Sequence, residues 1–176
     1  PHHTAHLASA FFASGFSDAA LLSVDGFGDF CSTLLGRGQE SSIEVLDSVG
    51  FPHSLGILYT AMTQFLGFSK YGDEGKVMGL AATGEPVYRD RLRQVLLLKE
   101  DGLFELEPSY FTHPVYGVDM IWEDRVPHVE DIFSERLIEV FGRPRHRYAD
   151  ITVRDRDLAA SVQAVLEDAL LHLLKG

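Results

Sequence analysis

Three short apolar segments follow one another between residues 19 and 48, and tight, glycine-containing turns separate them. This pattern predicts strands over 19–24, 30–35 and 42–48, with a turn at 36–38 and an antiparallel meander as the topology. After residue 53 the apolar residues recur at helical spacing instead. Strands followed by helices predict a mixed α/β unit in which helices cover the meander.

The helical spacing predicts a helix that begins after the N-cap Ser54, and it predicts further helices along the chain. These further helices are expected over 3–13, 73–82, 86–98, 130–141 and 154–175. The stretch 101–125 is predicted to be irregular or weakly stranded. Its aromatic residues Phe111, Tyr116 and Trp122 are expected in the core.

Charge and cysteine content exclude several classes of protein. The 176 residues carry a formal net charge of −11, which argues against binding to the phosphate backbone of a nucleic acid. Cys31 is the single cysteine, so no internal disulfide can form and a cytoplasmic location is expected. No run approaches the roughly 18 apolar residues of a membrane span, so no membrane partner is expected.

The chain begins with PHHTAH, and the spacing of its histidines suggests a metal site. His2 and His6 are four residues apart, so on a helix both imidazoles lie on one face. Asp25 follows the first predicted strand and could supply a carboxylate to the same place. Two imidazoles and a carboxylate suit a divalent transition metal and leave positions open for a substrate. The alternative is that these are frayed terminal histidines without a ligand.

Two glycine-containing segments are candidate ligand sites. Gly26, Gly28 and Asp29 follow Asp25, and glycines there would expose backbone N–H groups to a phosphate or to a metal-bound ligand. An ordinary Asp-Gly hairpin turn is the alternative. In the predicted helix 73–82, Gly75 and Gly79 flank Lys76 and Met78. Helical glycine is unfavourable, so either close backbone packing or access for a ligand beside Lys76 is required.

Four motifs, taken in order, resemble the amino-terminal domain of the O-carbamoyltransferases of the nodulation-protein U and cephalosporin carbamoyltransferase type. The motifs read HHTAHLASAFFASGF, LLSVDGFGD, FPHSLGILYTAMTQFLGF and DEGKVMGLAATG. They cover roughly residues 1–85. The resemblance implies a ribonuclease H-like fold of the actin-like ATPase superfamily, similar to that of the tRNA threonylcarbamoyltransferase.

The resemblance also implies a reaction and a set of ligands. A YrdC-like carboxy-terminal domain would make carbamoyl adenylate from carbamoyl phosphate and ATP, and the carbamoyl group would pass to a hydroxyl of a small-molecule acceptor. His2 and His6 would hold a divalent metal, commonly Fe²⁺, with Asp25 as a ligand or near-ligand. Gly26, Gly28, Asp29 and Lys76 are then the residues expected to contact the nucleotide or carbamoyl adenylate.

Residues 1–176 would form only part of that amino-terminal domain. A further metal-binding aspartate, a Gly-Gly-Asn-bearing strand and the YrdC-like domain are expected beyond Gly176, so this chain alone is expected to be inactive. Two other functions stay open at this stage. One is a non-catalytic metal- or nucleotide-binding actin-like module, and the other is a sugar-kinase-like ATPase.

Overall fold

A computed structural model describes residues 1–123 and 125–175. One long and several short helices alternate with three small antiparallel sheets. In chain order the elements are α1 His2–Ser14, β1 Asp18–Gly28, β2 Cys31–Gln39, β3 Ser42–Gly50, α2 Leu55–Phe65, α3 Glu74–Ala81, α4 Arg89–Leu92, β4 Leu96–Leu98, β5 Phe104–Leu106, α5 His113–Tyr116, β6 Met120–Glu123, β7 Val126–Val129, α6 Glu135–Phe141 and α7 Val153–Leu173, with a 3₁₀ turn at Pro108–Tyr110.

The main sheet is the predicted antiparallel meander, in the order β1-β2-β3. Its first turn consists of Asp29 and Phe30, both with positive φ (54° and 62°), as a two-residue hairpin loop with right-handed strand twist requires. The turn predicted at 36–38 is wrong, because β2 continues through Gly36 and Gly38 to Gln39. These two glycines are needed for packing. A Cβ at Gly38 would lie 2.5 Å from the Phe11 ring of α1.

The sheet lies between two layers with separate cores. On one face, Leu7 and Phe11 of α1 pack against Leu21 and Leu34 of the strands. We refer to α1 with the β1–β2 hairpin as the α1–hairpin unit. The intervening residues, including Leu22, point to the opposite face and pack against the large core of the helices. Alternation with period two therefore assigns the side chains of β1 to two different layers.

The large core is formed around α2 and α7. We refer to this core and the elements that form it as the helical body. Ser54 caps α2 as predicted, accepting from the N–H of Ile57 at 3.1 Å. Helix α7 begins with a capping box in which the side chains of Thr152 and Asp155 each accept from the other's backbone N–H. The inward face of α7 consists of five buried residues, Leu158, Val162, Val165, Ala169 and Leu173, and Leu166 packs against the same core while partly exposed.

Two helix predictions are wrong in extent. Of 86–98, only α4 is helical, and Leu96–Leu98 pairs as β4 with β5 across a turn that contains Gly102 at φ 86°. Over so short a stretch, the spacing of apolar residues does not distinguish a strand from the continuation of a helix. The helix predicted from residue 130 begins only at Glu135, where Ser134 caps it.

In the segment predicted as irregular, 101–125, the described residues form only short elements, which agrees with the prediction. Of its three aromatic residues expected in the core, Phe111 is buried, whereas Tyr116 and Trp122 are largely exposed. The predicted mixed α/β class, with helices covering an antiparallel meander, is confirmed. Among the described residues, no helix combines the length and the apolar character that crossing a bilayer requires.

Candidate metal centre

Helix α1 presents two imidazoles at the edge of the sheet. His2 and His6 are separated by four residues in one continuous helix, and their rings stack edge to face with centroids 4.5 Å apart. The buried stripe of the same helix, His3, Leu7 and Phe11, packs on the strands. Because this stripe lies against the strands, the helical face that carries His2 and His6 is directed toward the hairpin loop between β1 and β2.

A bulge in β1 directs Asp25 toward that helix. The register with β2 shifts between Val24 and Gly28, so the residues between them leave the regular ladder. The Asp25 backbone is held from the opposite side by α2, because Ser54 Oγ donates to the Asp25 carbonyl oxygen at 3.0 Å. Gly56 permits this approach, since a Cβ there would lie 2.9 Å from the same carbonyl oxygen.

Three side-chain atoms converge at this point. His2 Nε2 lies 2.9 Å from Asp25 Oδ2 and 3.1 Å from His6 Nε2, and His6 Nε2 lies 3.9 Å from Asp25 Oδ2. Among the residues that the structure describes, this is the one group of three or more His, Cys, Asp and Glu side chains arranged closely enough for a metal. The predicted convergence is observed, and metal binding itself stays a prediction.

The hydrogens of this cluster do not satisfy all its contacts. A carboxylate only accepts, so His2 Nε2 must carry a hydrogen to bond Asp25. That nitrogen then has no lone pair to receive a hydrogen from His6 Nε2. The single hydrogen on His2 Nε2 therefore lies between two acceptors, the Asp25 carboxylate and the lone pair of His6 Nε2. When His2 carries its hydrogen on Nδ1 instead, each of the three groups offers a lone pair, and a cation that accepts all three removes the conflict.

The distances also fit a small metal ion. With bonds of about 2.1 Å, neighbouring ligands of an octahedral ion lie about 3.0 Å apart. Two edges of the triangle are 2.9 and 3.1 Å and the third is 3.9 Å. Side chains of His2, Asp25 and His6 are 39%, 46% and 54% exposed, so one side of the cluster is open to incoming molecules.

The environment of Asp25 favours its ionised form. The hydrogen bond from His2 lowers the pKa of the Asp25 carboxyl, and the Gly26 N–H and the charges of His2 and His3 lower it further, against the effect of partial burial. An ionised carboxylate is the form that binds a metal.

Three further residues hold the cluster in place, and sequence reasoning missed the first of them. His3 is buried, with Nδ1 2.8 Å from Ser23 Oγ and Nε2 2.9 Å from the Cys31 carbonyl oxygen. Its place on the Leu7–Phe11 stripe was the available signal. Asp29 Oδ2 accepts from the backbone N–H of His2 at 2.8 Å and so caps α1, which has no cap of its own. A Cβ at Gly28 would overlap the His2 ring, at 2.0 Å from Cδ2.

The four residues predicted to contact the nucleotide lie in different surroundings. Gly28 and Asp29 contact His2, as described above. Gly26 has open space where a Cβ would stand, and its N–H donates to Asp25 Oδ1 at 2.7 Å. Lys76 pairs with Asp73 at 2.7 Å and lies over the Phe68 ring. No described contact joins Lys76 to the His–Asp cluster. Nucleotide binding by these residues stays a prediction.

A cavity of about 580 Å³ adjoins the cluster. Asp25 and Gly26 are among its lining residues, and others come from α2, α7 and β6. The lining is mostly apolar, with a few polar groups that include Thr60 and Glu74, hydrogen-bonded to each other at 2.8 Å. Asp25 thus borders both the candidate metal position and a space large enough for a small molecule.

Comparison with known proteins gives a consistent result. The family described as Carbamoyltransferase N-terminus matches residues 1–175. An uncharacterized protein of Synechocystis sp. is 40% identical over 174 residues, which are 98% of this chain and 26% of that protein. Nodulation protein NolNO of Sinorhizobium fredii is 34% identical over 99% of the chain and 22% of its own length. Nodulation protein NolO of Bradyrhizobium diazoefficiens is 31% identical, over 99% and 28% respectively.

The chain spans about a quarter of the length of these curated relatives. Its similarity to them is continuous from the histidines of α1 to the end of α7. The family match thus covers residues 1–175 and is not limited to an isolated motif. The chain is therefore a member of the carbamoyltransferase amino-terminal family.

Proposed function

We propose that this chain is the metal-binding part of an O-carbamoyltransferase, which transfers a carbamoyl group to a hydroxyl of a small-molecule acceptor. The observation that carries the proposal is the convergence of His2, His6 and Asp25 in a chain of this family. Their exposed side and the adjoining cavity leave room for a reacting group next to the Asp25 carboxylate.

His2, His6 and Asp25 would hold a divalent metal, and we propose Fe²⁺ because two imidazoles and one carboxylate with open positions are typical of non-haem iron sites. When bound, such an ion acts as a Lewis acid that polarises a carbonyl oxygen. The protein's own part is to keep three lone pairs aimed at one point. Asp29, Gly28 and Ser54 do this by fixing the first turn of α1 and the bulge of β1.

The donor in this proposal is carbamoyl adenylate, formed from carbamoyl phosphate and ATP. The acceptor hydroxyl oxygen bonds to the carbamoyl carbon, the bond from that carbon to the adenylate phosphate oxygen breaks, and AMP leaves. The hydroxyl proton passes to a base in solvent. Gly26, Gly28, Asp29 and Lys76 are proposed to contact the nucleotide, and the absence of a side chain at Gly26 supports access from the cavity side.

We further propose that these residues are part of a larger ribonuclease H-like, actin-like domain, linked to a YrdC-like domain that makes the carbamoyl adenylate. The meander with helices on both faces is compatible with that fold. Residues 1–176 alone would then be inactive in transfer. The single cysteine supports a cytoplasmic setting.

The test uses the full-length protein that carries this sequence, with Fe²⁺ affinity measured by chelator competition and turnover of carbamoyl phosphate and ATP measured in parallel. His6→Ala is expected to weaken Fe²⁺ binding by at least about 100-fold and to abolish transfer, because one ligand of three is lost. His146→Ala removes an exposed histidine from a loop and is the matched control.

A second pair of variants tests the geometry. Gly28→Ala places a methyl group in the His2 ring and should weaken Fe²⁺ binding about tenfold or more, whereas Gly26→Ala has open space and should not. Wild-type Fe²⁺ affinity in His6→Ala would contradict the metal site. Metal binding without any carbamoyl-phosphate turnover would favour a non-catalytic module instead.

A further inference from the structure

His3 is the most buried polar residue of α1, with 3% of its surface exposed. It lies between the two metal-ligand candidates in sequence, yet its side chain points into the sheet while theirs do not. Its Nδ1 contacts Ser23 Oγ on β1 at 2.8 Å, and its Nε2 contacts the Cys31 carbonyl oxygen on β2 at 2.9 Å. One imidazole therefore joins the helix to both strands of the hairpin.

The two partners decide which hydrogens are present. A carbonyl oxygen only accepts, so Nε2 of His3 carries the hydrogen and donates it to Cys31. In the neutral ring Nδ1 then accepts from the Ser23 hydroxyl. Both ring nitrogens are thus engaged inside the protein, and neither is free for a metal. This explains why only His2 and His6, of the three histidines in α1, are ligand candidates.

The partners of His3 lie near the rest of the cluster on the same two strands. Ser23 is two positions before Asp25, and it lies on the strand face that α1 covers. Cys31 pairs with Gly28 and follows the turn that contains Asp29. A shift of His3 relative to β1 and β2 would therefore displace His2 from both of its contacts, Asp25 Oδ2 and Asp29 Oδ2.

We propose that His3 is a positioning residue that sets the register of α1 on the hairpin and thereby brings His2 and His6 onto Asp25. The proposal rests on the metal site of the proposed function. A purely stabilising role for His3 is the competing interpretation, and it predicts loss of stability without a specific loss of metal affinity.

The experiment measures Fe²⁺ affinity of the full-length protein by chelator competition, at a temperature where every variant is folded by circular dichroism. His3→Leu should bind Fe²⁺ 10- to 100-fold more weakly, the range found when groups that orient metal ligands are removed. His3→Gln retains an N–H that can reach the Cys31 carbonyl oxygen and should recover part of that loss. Ser23→Ala should give an intermediate value.

Leu7→Ala is the matched control, because Leu7 lies one helical turn further on the same buried stripe and belongs to the apolar core of the α1–hairpin unit. An affinity in His3→Leu within threefold of wild type overturns the proposal, and so does an equal loss in Leu7→Ala. If His3→Leu does not fold, the comparison of His3→Gln with Leu7→Ala decides in the same way.

A second readout separates this inference from the proposed function. Wild-type protein that binds no Fe²⁺ contradicts the metal site, and the metal-free crystal structure of His3→Leu or His3→Gln then decides the role of His3. Separation of His2 Nε2 from Asp25 Oδ2 beyond hydrogen-bond distance supports positioning. Retention of the 2.9 Å contact overturns it.

Discussion

The α1–hairpin unit and the helical body are built on different physical principles. In the α1–hairpin unit four large apolar residues form the core, and specific polar contacts of His2, His3 and Asp29 determine how the helix lies on the strands. In the helical body 26 of the residues that the structure describes are buried in one continuous cluster. The first region is defined by hydrogen bonds and glycine contacts, and the second by hydrophobic burial.

The difference indicates where stability and site geometry originate. Burial of apolar surface contributes most of the free energy of folding but has little directional preference. Hydrogen bonds contribute less each and impose distances and angles. The candidate site, whose three side-chain atoms lie within 3.9 Å of one another, is accordingly located in the region with directional contacts. The helical body supports this region from the opposite face of the sheet.

The largest expected effect is on the free energy of unfolding, and a pair of aromatic truncations, one in each region, should show it. Phe65→Ala, in the centre of the helical body at 0% exposure, should lower the free energy of unfolding by roughly 3–5 kcal/mol. Phe11→Ala should cost less, because α1 can settle onto the strands and partly close the cavity. Urea unfolding of residues 1–176 measures both changes.

The same pair should rank in the opposite order for metal binding. Phe11→Ala loosens the helix that carries His2 and His6 and should weaken Fe²⁺ binding, though by less than His3→Leu does, whereas folded Phe65→Ala should bind as wild type does. Equal effects of the two variants on both quantities would show that the regions are not separable in this way.

A pH titration should reveal an effect that arises where the two regions meet. His113 is fully buried among Phe27, Phe51 and Phe111, donates from Nε2 to the Pro52 carbonyl oxygen at 2.8 Å, and has a buried Nδ1 without a partner among the described residues. Burial lowers the pKa of His113, the nearby His53 lowers it further, and the Pro52 carbonyl acts in the opposite direction.

Because the folded-state pKa of His113 lies below the unfolded value, the unfolded chain binds more protons as the pH falls through about 6.5. The free energy of unfolding should therefore keep its full value above that pH. Below it, this free energy should decrease with a slope of up to about 1.4 kcal/mol per pH unit until the folded-state pKa is reached. His113→Gln keeps a donor for Pro52 and does not titrate. Superimposable pH curves for wild type and His113→Gln would contradict this assignment.

The smallest effect concerns two glycines on the surface of the helical body. A Cβ at Gly75 or Gly79 of α3 would meet nothing within 4 Å, so close packing against the described residues does not explain them. Gly75→Ala and Gly79→Ala should each raise the free energy of unfolding by up to about 1 kcal/mol, since alanine is the better helix former. Unfolding by urea measures the gain, and a loss of stability in either variant would be contrary to this view.

The sequence predicted the fold best where a repeating pattern was long. Helix α7 and the strands of the meander were found because several turns or alternations reinforced each other. The helix predicted over 86–98 failed because Leu96–Leu98 is short and apolar throughout, and its pairing with Phe104–Leu106 depends on a turn later in the chain. Gly36 and Gly38 were wrongly interpreted as a turn. The reason for glycine at these positions is tertiary contact with α1, and such contact leaves no pattern in the local sequence.

The candidate site was predictable in its ligands and not in their supports. The i, i+4 spacing of His2 and His6 and the position of Asp25 after a strand suggested that three side chains meet, and the structure brings them together. The bulge that turns Asp25 toward α1, the capping of α1 by Asp29 and the double contact of His3 arise from tertiary packing. No spacing rule connects residues 3, 23 and 31 before the fold is known.

The bonds that organise the α1–hairpin unit are local along the chain. The contacts of His2 and His3 with the hairpin join residues 20 to 28 positions apart, whereas the bond from Tyr59 to Gln163 in the helical body spans 104. The entropy lost on closing a loop grows with the logarithm of its length, so the shorter closures are each favoured by about 1 kcal/mol. The side-chain contacts that set the geometry of the candidate metal centre consequently come mostly from the first 31 residues, with Ser54 and Gly56 as later supports of the Asp25 backbone.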